Sequence, residues 1–363
     1  MSIFNNLVSS LKSSHKSSGG VVGIDMGSSS MKVVELHEEK GVITLATYGE
    51  IQLGPYAGKQ NGESVNLEPK QEQVALVDVI RESSVKASDA VFAMPLSSSF
   101  VTNVSLKVDP DADLAALVRI EARKVIPASL SEVTLDWAEV EVTKKESKDA
   151  GADHRNVLIA SIQNSALDRF NILMQFVGLS KPPTEIECFS TLRAIYNSEE
   201  EDVAIVDVGA VSSKLYISRK GLLMRMYRIR SGGVIATNKI SEALEVDFEK
   251  AESLKCSIDR NSEEFSKIKR CHDESYERAF REFNQVIKEY EQKTGVTIGS
   301  VYLTGGGALF PGIDAQLKSV LGRDVSIANP FSKVAYPAFM EDTMKEIGPS
   351  FAVALGAALR AYE

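Results

Sequence analysis

Twice in this chain an apolar run ends in Asp-x-Gly, turns on small residues and resumes as a second apolar run. VVGIDMGSSSMKVVEL occupies residues 21–36 and VAIVDVGAVSSKLYI residues 203–217. Short runs rich in Val and Ile, broken by Gly and Ser, read as strands joined by a hairpin turn. One such unit is only a turn. Two, one in each half of a 363-residue chain, predict an internal duplication and more than one domain. A third small-residue turn, Gly305-Gly306-Gly307-Ala308, follows the apolar run 300–304.

The turns suggest phosphate chemistry. Backbone N–H groups in a tight turn form an anion-binding concavity, and glycine lets phosphate oxygens come close. Gly27 is followed by the hydroxyl donors Ser28, Ser29 and Ser30, and Gly209 and Ala210 form the second turn. A carboxylate beside phosphate is repulsive unless a metal lies between them. Asp25 and Asp207 are therefore expected to reach a Mg²⁺ through its water shell, since Mg²⁺ keeps several waters and takes few protein carboxylates. Lys32 begins the returning strand, where it can neutralise a β- or γ-phosphate. The run Gly305, Gly306, Gly307 and Ala308 fits an adenosine site, where a side chain would block close backbone approach. Gly232 and Gly233 are counted with the cofactor-binding residues. There is no Walker A sequence and no GxGxxG after a strand.

Composition excludes several classes. At 44% hydrophobic and 25% charged, the chain is ordinary for a globular protein, and its net charge of −9 argues against nucleic-acid binding. Cys188, Cys256 and Cys271 are widely spaced and odd in number, which fits a reducing cytoplasm and no metal motif. No apolar run reaches the roughly 18 residues of a spanning helix, and no continuous apolar core of a secretory signal follows the start. Residues 1–20 are expected to form a separate, flexible segment. Ile3, Phe4, Leu7, Val8 and Leu11 would share one helix face, as in a docking or membrane-surface helix; the alternative is a serine-rich lead-in.

Along the chain, strands are expected at 21–25, 31–37 and 43–50, a surface loop at 54–68 and a helix at 73–84. Residues 89–182 read as strand, strand, helix, strand, strand, helix, a compact inserted module. Its first helix is expected to be capped by Asp111 and stopped by Pro127. A helix at 186–197 follows, and the second half restarts at 201. Phe265, Ile268, Tyr276, Phe280, Phe283, Ile287 and Tyr290 recur at helical spacing as a core stripe. The tail from 348 is expected to be a helix whose Ala352, Gly356 and Ala357 permit close approach to a neighbour.

GIDMGSSSMK resembles the first phosphate motif of the actin-like ATPase superfamily, with Asp25, Gly27, Ser28 and Lys32 in matching positions. VAIVDVGAVSSKLYI resembles its second phosphate motif and VYLTGGGALFPGI its adenosine motif. AESLKCSI resembles the helix whose Glu and Lys hold ribose and adenine, here Glu252 and Lys255 on one helix face. Within the superfamily the chain is most similar to the PilM family of type IV pilus assembly proteins, and next to FtsA. GIDMGSSSMKVVEL, REFNQVIKEYEQKTG and the module containing EARKVIP and Asp136 carry that likeness, which extends over nearly all residues from Val21 onward. No amphipathic membrane helix of the FtsA kind precedes Glu363, which favours PilM.

The resemblance implies an α/β fold: an actin-like (ribonuclease H-like) two-lobed ATPase fold with a duplicated βββαβα-type core and an inserted, SHS2-like α/β subdomain. Lobe I would comprise 21–88, 183–200 and 345–363, and the insertion 89–182. Lobe II would comprise 201–234 and 297–344, with a helical subdomain at 235–296. It implies ATP and Mg²⁺ in the cleft, and the cytoplasmic tail of a PilN-like inner-membrane protein in a groove formed with the insertion. It further implies contact with pilus motor ATPases and other pilus assembly proteins, and a cytoplasmic position peripheral to the inner membrane through these partners. The nearest match to the water-orienting Glu or Gln of relatives is Glu187. Relatives often have Glu-Pro there, and Glu187-Cys188 departs from it, so at most slow ATP hydrolysis is expected. Otherwise Glu187 is a cap or a solvated helix residue. An FtsA-like polymerising protein and a small-molecule kinase are the alternative functions.

Overall fold

The computed structural model describes residues 20–109, 112–140, 154–180, 184–197 and 202–363. The expectations for residues 1–19, for Asp111 and for most of the charged loop 144–155 lie outside the described residues.

The duplication is present as two five-stranded sheets of one topology. The first contains β1 (Val21–Met26), β2 (Ser30–Glu39), β3 (Val42–Gln52), β4 (Asp89–Met94) and β8 (Glu185–Ile186), in the order β3-β2-β1-β4-β8. The second contains β9 (Asp202–Val208), β10 (Ser213–Arg219), β11 (Leu222–Ile229), β12 (Ser300–Thr304) and β13 (Val325–Ile327), in the order β11-β10-β9-β12-β13. In each, three antiparallel strands come first and two parallel strands join later. The first strands of the two sheets are buried along most of their length, as befits central strands covered on both faces.

Nine α-helices lie among the described residues: α1 (Pro69–Glu82), α2 (Leu114–Val125), α3 (Asn164–Phe176), α4 (Glu187–Ile195), α5 (Gly233–Leu244), α6 (Phe248–Cys256), α7 (Phe265–Thr294), α8 (Ile313–Leu321) and α9 (Glu341–Leu359). Along α7, Ile268, Tyr276, Phe280, Phe283, Ile287 and Tyr290 are buried as the spacing predicts, and Phe265 is half-buried.

The inserted module has a sheet of its own, formed by β5 (Ser99–Lys107), β6 (Val133–Val140) and β7 (His154–Gln163) in the order β5-β7-β6. Side chains alternate across β7. Val157 and Ile159 pack beneath Val118 and Ala122 of α2, whereas Leu158, Ala160 and Ile162 join the main core. Two expectations are corrected. The strand expected to open the module, β4, pairs in parallel with β1 (Ile24 opposite Phe92), so it belongs to the first sheet. Its run DAVFAM is equally apolar on both faces, and such a run does not reveal which sheet receives it. The cap of α2 is Asp113, whose carboxylate accepts from the Ala115 and Ala116 amides at 2.9 and 3.3 Å. The helix does end before Pro127, with Ile126 already extended.

The module contacts both halves. On α3, Arg169 donates to Glu72 of α1 at 2.6 Å, and Phe170 lies 4.2 Å, centroid to centroid, from Phe92. On β5, the Asn103 amide donates to the carbonyls of Leu223, at 3.1 Å, and Met224 of β11.

Helix α9 sets the distance between layers. A Cβ on Gly356 would lie 1.8 Å from the Ser190 carbonyl of α4, and one on Gly23 would lie 2.0 Å from the Ala354 carbonyl. Backbones therefore touch on two sides of this helix. Pro349, inside it, offers its carbonyl to the Thr304 hydroxyl at 2.8 Å and the Gly305 amide at 2.9 Å. The third turn is thus anchored to α9.

Candidate functional site

The two Asp-x-Gly turns are closed in the same way. Gly27 donates its amide to the Ser30 carbonyl at 2.9 Å, and Gly209 donates to the Ser212 carbonyl at 3.1 Å. In both hairpins the aspartate faces a lysine across the strands, Asp25 opposite Lys32 and Asp207 opposite Lys214. Gly27 is exposed at the tip, Ser28 and Ser29 are half-buried and Ser30 is buried. The carbonyls of Ser28 and Ser29 accept from the Val65 and Leu53 amides, which fixes this turn to the loop after β3.

The second turn is backed by the start of α5. Gly233 and Val234 donate to the carbonyls of Gly209 and Ala210 at 3.0 and 2.9 Å, and a Cβ on Gly232 would lie 2.6 Å from the Ala210 carbonyl. The third turn presses on the second. Gly305 has φ +86°, and a Cβ there would lie 2.4 Å from Asp207 Oδ1. A Cβ on Gly307 would lie 2.3 Å from Val208 Cγ1. At Gly306 a Cβ would meet nothing within 4 Å. Ala308 is buried, and its amide closes the turn onto the Gly305 carbonyl at 3.0 Å.

Helix α6 brings Glu252 and Lys255 to the same place. Lys255 Nζ donates to Glu252 Oε2 at 2.6 Å, to Thr237 Oγ1 at 2.8 Å and to the Gly233 carbonyl at 3.4 Å. The Thr237 hydroxyl also donates to Glu252. From the other lobe, Gly62 approaches so closely that a Cβ on it would lie 2.6 Å from Glu252 Cδ.

Near the first two turns lie three carboxylates and an ammonium. Glu187, the first residue of α4, accepts from the Leu96 amide at 2.8 Å through Oε1 and from Lys214 Nζ at 2.8 Å through Oε2. It is buried and bonded at both oxygens, not a solvated helix residue. Lys214 Nζ also donates to Asp207 Oδ2 at 3.2 Å. Burial alone would pull the Lys214 ammonium down, but Asp207 and Glu187 hold it well above its ordinary range. The Asp25 carboxyl is pushed up to about 6, chiefly by burial, with Lys32 pulling it down and Glu187 pushing it up. Lys32 is engaged elsewhere, donating to Ser30 Oγ at 2.7 Å and pairing with Glu50 at 3.0 Å.

The residues singled out from the sequence therefore lie on or beside three turns, the second and third pressed together, and on the starts of α4 and α5 and in α6. Lys214 and Thr237 were missed. The signal for Lys214 was in the sequence, since it follows Asp207 at the same offset as Lys32 follows Asp25.

Lys32 and Lys214 are both paired with carboxylates, and the exposed turn at Gly27 and the open face of Gly306 are the places where a nucleotide could meet backbone. Asp25 and Asp207 remain the carboxylates that could hold Mg²⁺ through water, but Asp207 and Glu187 are already countered by Lys214. Among the described residues no group of three or more His, Cys, Asp or Glu side chains is placed to ligate a metal directly.

A profile of the family described as "Type IV pilus assembly protein PilM" matches residues 23–362. The chain is similar to a chain of a solved PilM-PilN type IV pilus biogenesis complex, with 22% identity and a TM-score of 0.77, covering 94% of this chain and 98% of that one. It is also similar to the ethanolamine utilization protein EutJ from Carboxydothermus hydrogenoformans, with 15% identity and a TM-score of 0.53 over 93% of this chain and 88% of that one. MreB5 of Spiroplasma citri, solved with ADP, matches at 12% identity and a TM-score of 0.50 over 91% and 98% of the two chains. The shared architecture is the two-lobed actin-like fold.

Proposed function

This chain belongs to the PilM family of type IV pilus assembly proteins, and from that premise we propose that it is an adenine-nucleotide-binding scaffold of the inner-membrane pilus complex. The observation that carries the nucleotide half is the convergence of three turns from separate parts of the chain, with Lys214 between them and Gly306 open. In this reading the turns at Gly27 to Ser30 and at Gly209-Ala210 take the phosphates. Lys32 neutralises them, and Glu252 and Lys255 hold ribose and adenine. A bound nucleotide supplies a polyphosphate that both lobes share. Magnesium held through water by Asp25 and Asp207 would have to share Asp207 with Lys214.

Glu187 is the residue placed to orient a water, but its two oxygens are taken by a backbone amide and an ammonium. A carboxylate so paired is a weak proton acceptor, which supports slow turnover at most.

The scaffold half concerns the insertion. It is packed against α1 by Arg169 and against β11 by Asn103, so a change in the angle between the lobes strains its seat. Its occupant in this reading is the cytoplasmic tail of a PilN-like inner-membrane protein, with the pilus motor ATPases beyond it and the whole at the cytoplasmic face of the inner membrane. Among the described residues no helix is long and apolar enough to cross a membrane. Nucleotide and tail are coupled only if closure favours the tail differentially. The test is a thermal shift of the full chain with a synthetic tail peptide, with and without ATP. The peptide should raise the midpoint by mass action, and more so with ATP. A peptide that moves nothing under either condition would contradict the scaffold assignment.

A further inference from the structure

Lys214 stands apart from its counterpart in the other hairpin. Lys32 bonds Ser30 and Glu50, whereas Lys214 lies between Asp207 and Glu187; both side chains are about equally buried. The two acids come from different halves: Asp207 ends the first strand of the second sheet, and Glu187 begins the helix after the last strand of the first. Asp25 feels both acids and Lys214 as well. Without Lys214, Asp207 and Glu187 would be left uncompensated in a partly buried place within the field of Asp25, an arrangement that demands a counter-ion. A metal or the ammonium can meet that demand, but both cannot take the same oxygens of Asp207 and Glu187.

We propose that Lys214 is the resident cation of the phosphate site, supplying from within the chain the charge that a divalent metal would otherwise bring between Asp207, Glu187 and the phosphates. The protein then binds its nucleotide without metal. Replacing Lys214 by a neutral residue opens the acids to a divalent cation and makes nucleotide binding metal-dependent. This rests on the nucleotide reading above. A purely structural ion pair between the lobes would alter stability on removal but would leave the effect of metal on binding unchanged.

The experiment is calorimetric titration of ADP into the full chain, in excess EDTA and in excess MgCl₂, for the wild type, Lys214→Met and Lys214→Gln. Melting curves report whether each variant is folded. Wild-type affinity should agree within about threefold between the two conditions. The variants should lose about tenfold or more in EDTA and regain most of it with magnesium. Wild-type binding that vanishes in EDTA overturns the proposal while leaving the nucleotide reading intact. Folded variants with the same metal ratio as the wild type also overturn it. Absence of heat in every arm overturns both. If neither variant folds, wild-type binding that needs magnesium still overturns the proposal.

Discussion

Gly305, Gly306 and Gly307 lack a side chain for three different reasons. Gly305 needs the left-handed backbone and lies against the Asp207 carboxylate, Gly307 makes room for Val208, and Gly306 faces open space. Only the third is free to serve a ligand without serving the fold. His272 is a residue of the opposite kind, buried with its ring stacked on Phe310 at 3.6 Å and 10°. Burial first, then the nearby charges of Lys255 and Lys269, push its imidazole down to about 3. In the unfolded chain a histidine titrates near 6.5. Between those values the unfolded chain binds more protons, so stability is full above about 6.5 and falls as pH falls towards 3. At pH 5 the expected loss is about 2 kcal/mol relative to pH 7. Urea midpoints at the two pH values should show it for the wild type and show a smaller loss for His272→Phe. Equal losses in both proteins would contradict the assignment.

At the scale of elements, the close contacts of α9 are the strongest constraint. Gly356 sits against the Ser190 carbonyl with no space for a methyl group. Gly356→Val should push α4 and α9 apart and cost about 1–3 kcal/mol, read from urea or thermal unfolding. An unchanged midpoint would mean that the backbones do not touch there. The same helix illustrates what the sequence discloses. Its small residues, the α7 stripe and the paired hairpins were legible because each is a local pattern with a fixed period. The sheet membership of β4 was not, because its partner β1 lies far away in sequence and DAVFAM would suit either sheet. Asp113 displaced Asp111 as cap for a similar reason: both precede the apolar run, and only the backbone path selects one. Among site residues, the turns were legible because close backbone packing needs small residues side by side. Lys214 was signalled by its offset from Asp207, which repeats that of Lys32 from Asp25, but its pairing with Glu187 comes only from the fold.

On the scale of the whole molecule, one apolar cluster runs from the first sheet through the insertion to Ile205, Tyr216 and Leu223 of the second sheet. The insertion is therefore fastened to both lobes, and the turns between them form a joint that a shared ligand can close. The ion pair of Lys214 with Glu187 and the approach of Gly62 to Glu252 are among the contacts across that joint. The account stands or falls on whether these turns receive one adenine nucleotide together. Calorimetric titration of ATP into the wild type and into Gly306→Val measures this most directly. The expected result is one-to-one binding by the wild type, weakened by about tenfold or more in the variant at an unchanged melting temperature. No heat from the wild type, or equal affinity in an intact variant, would contradict it.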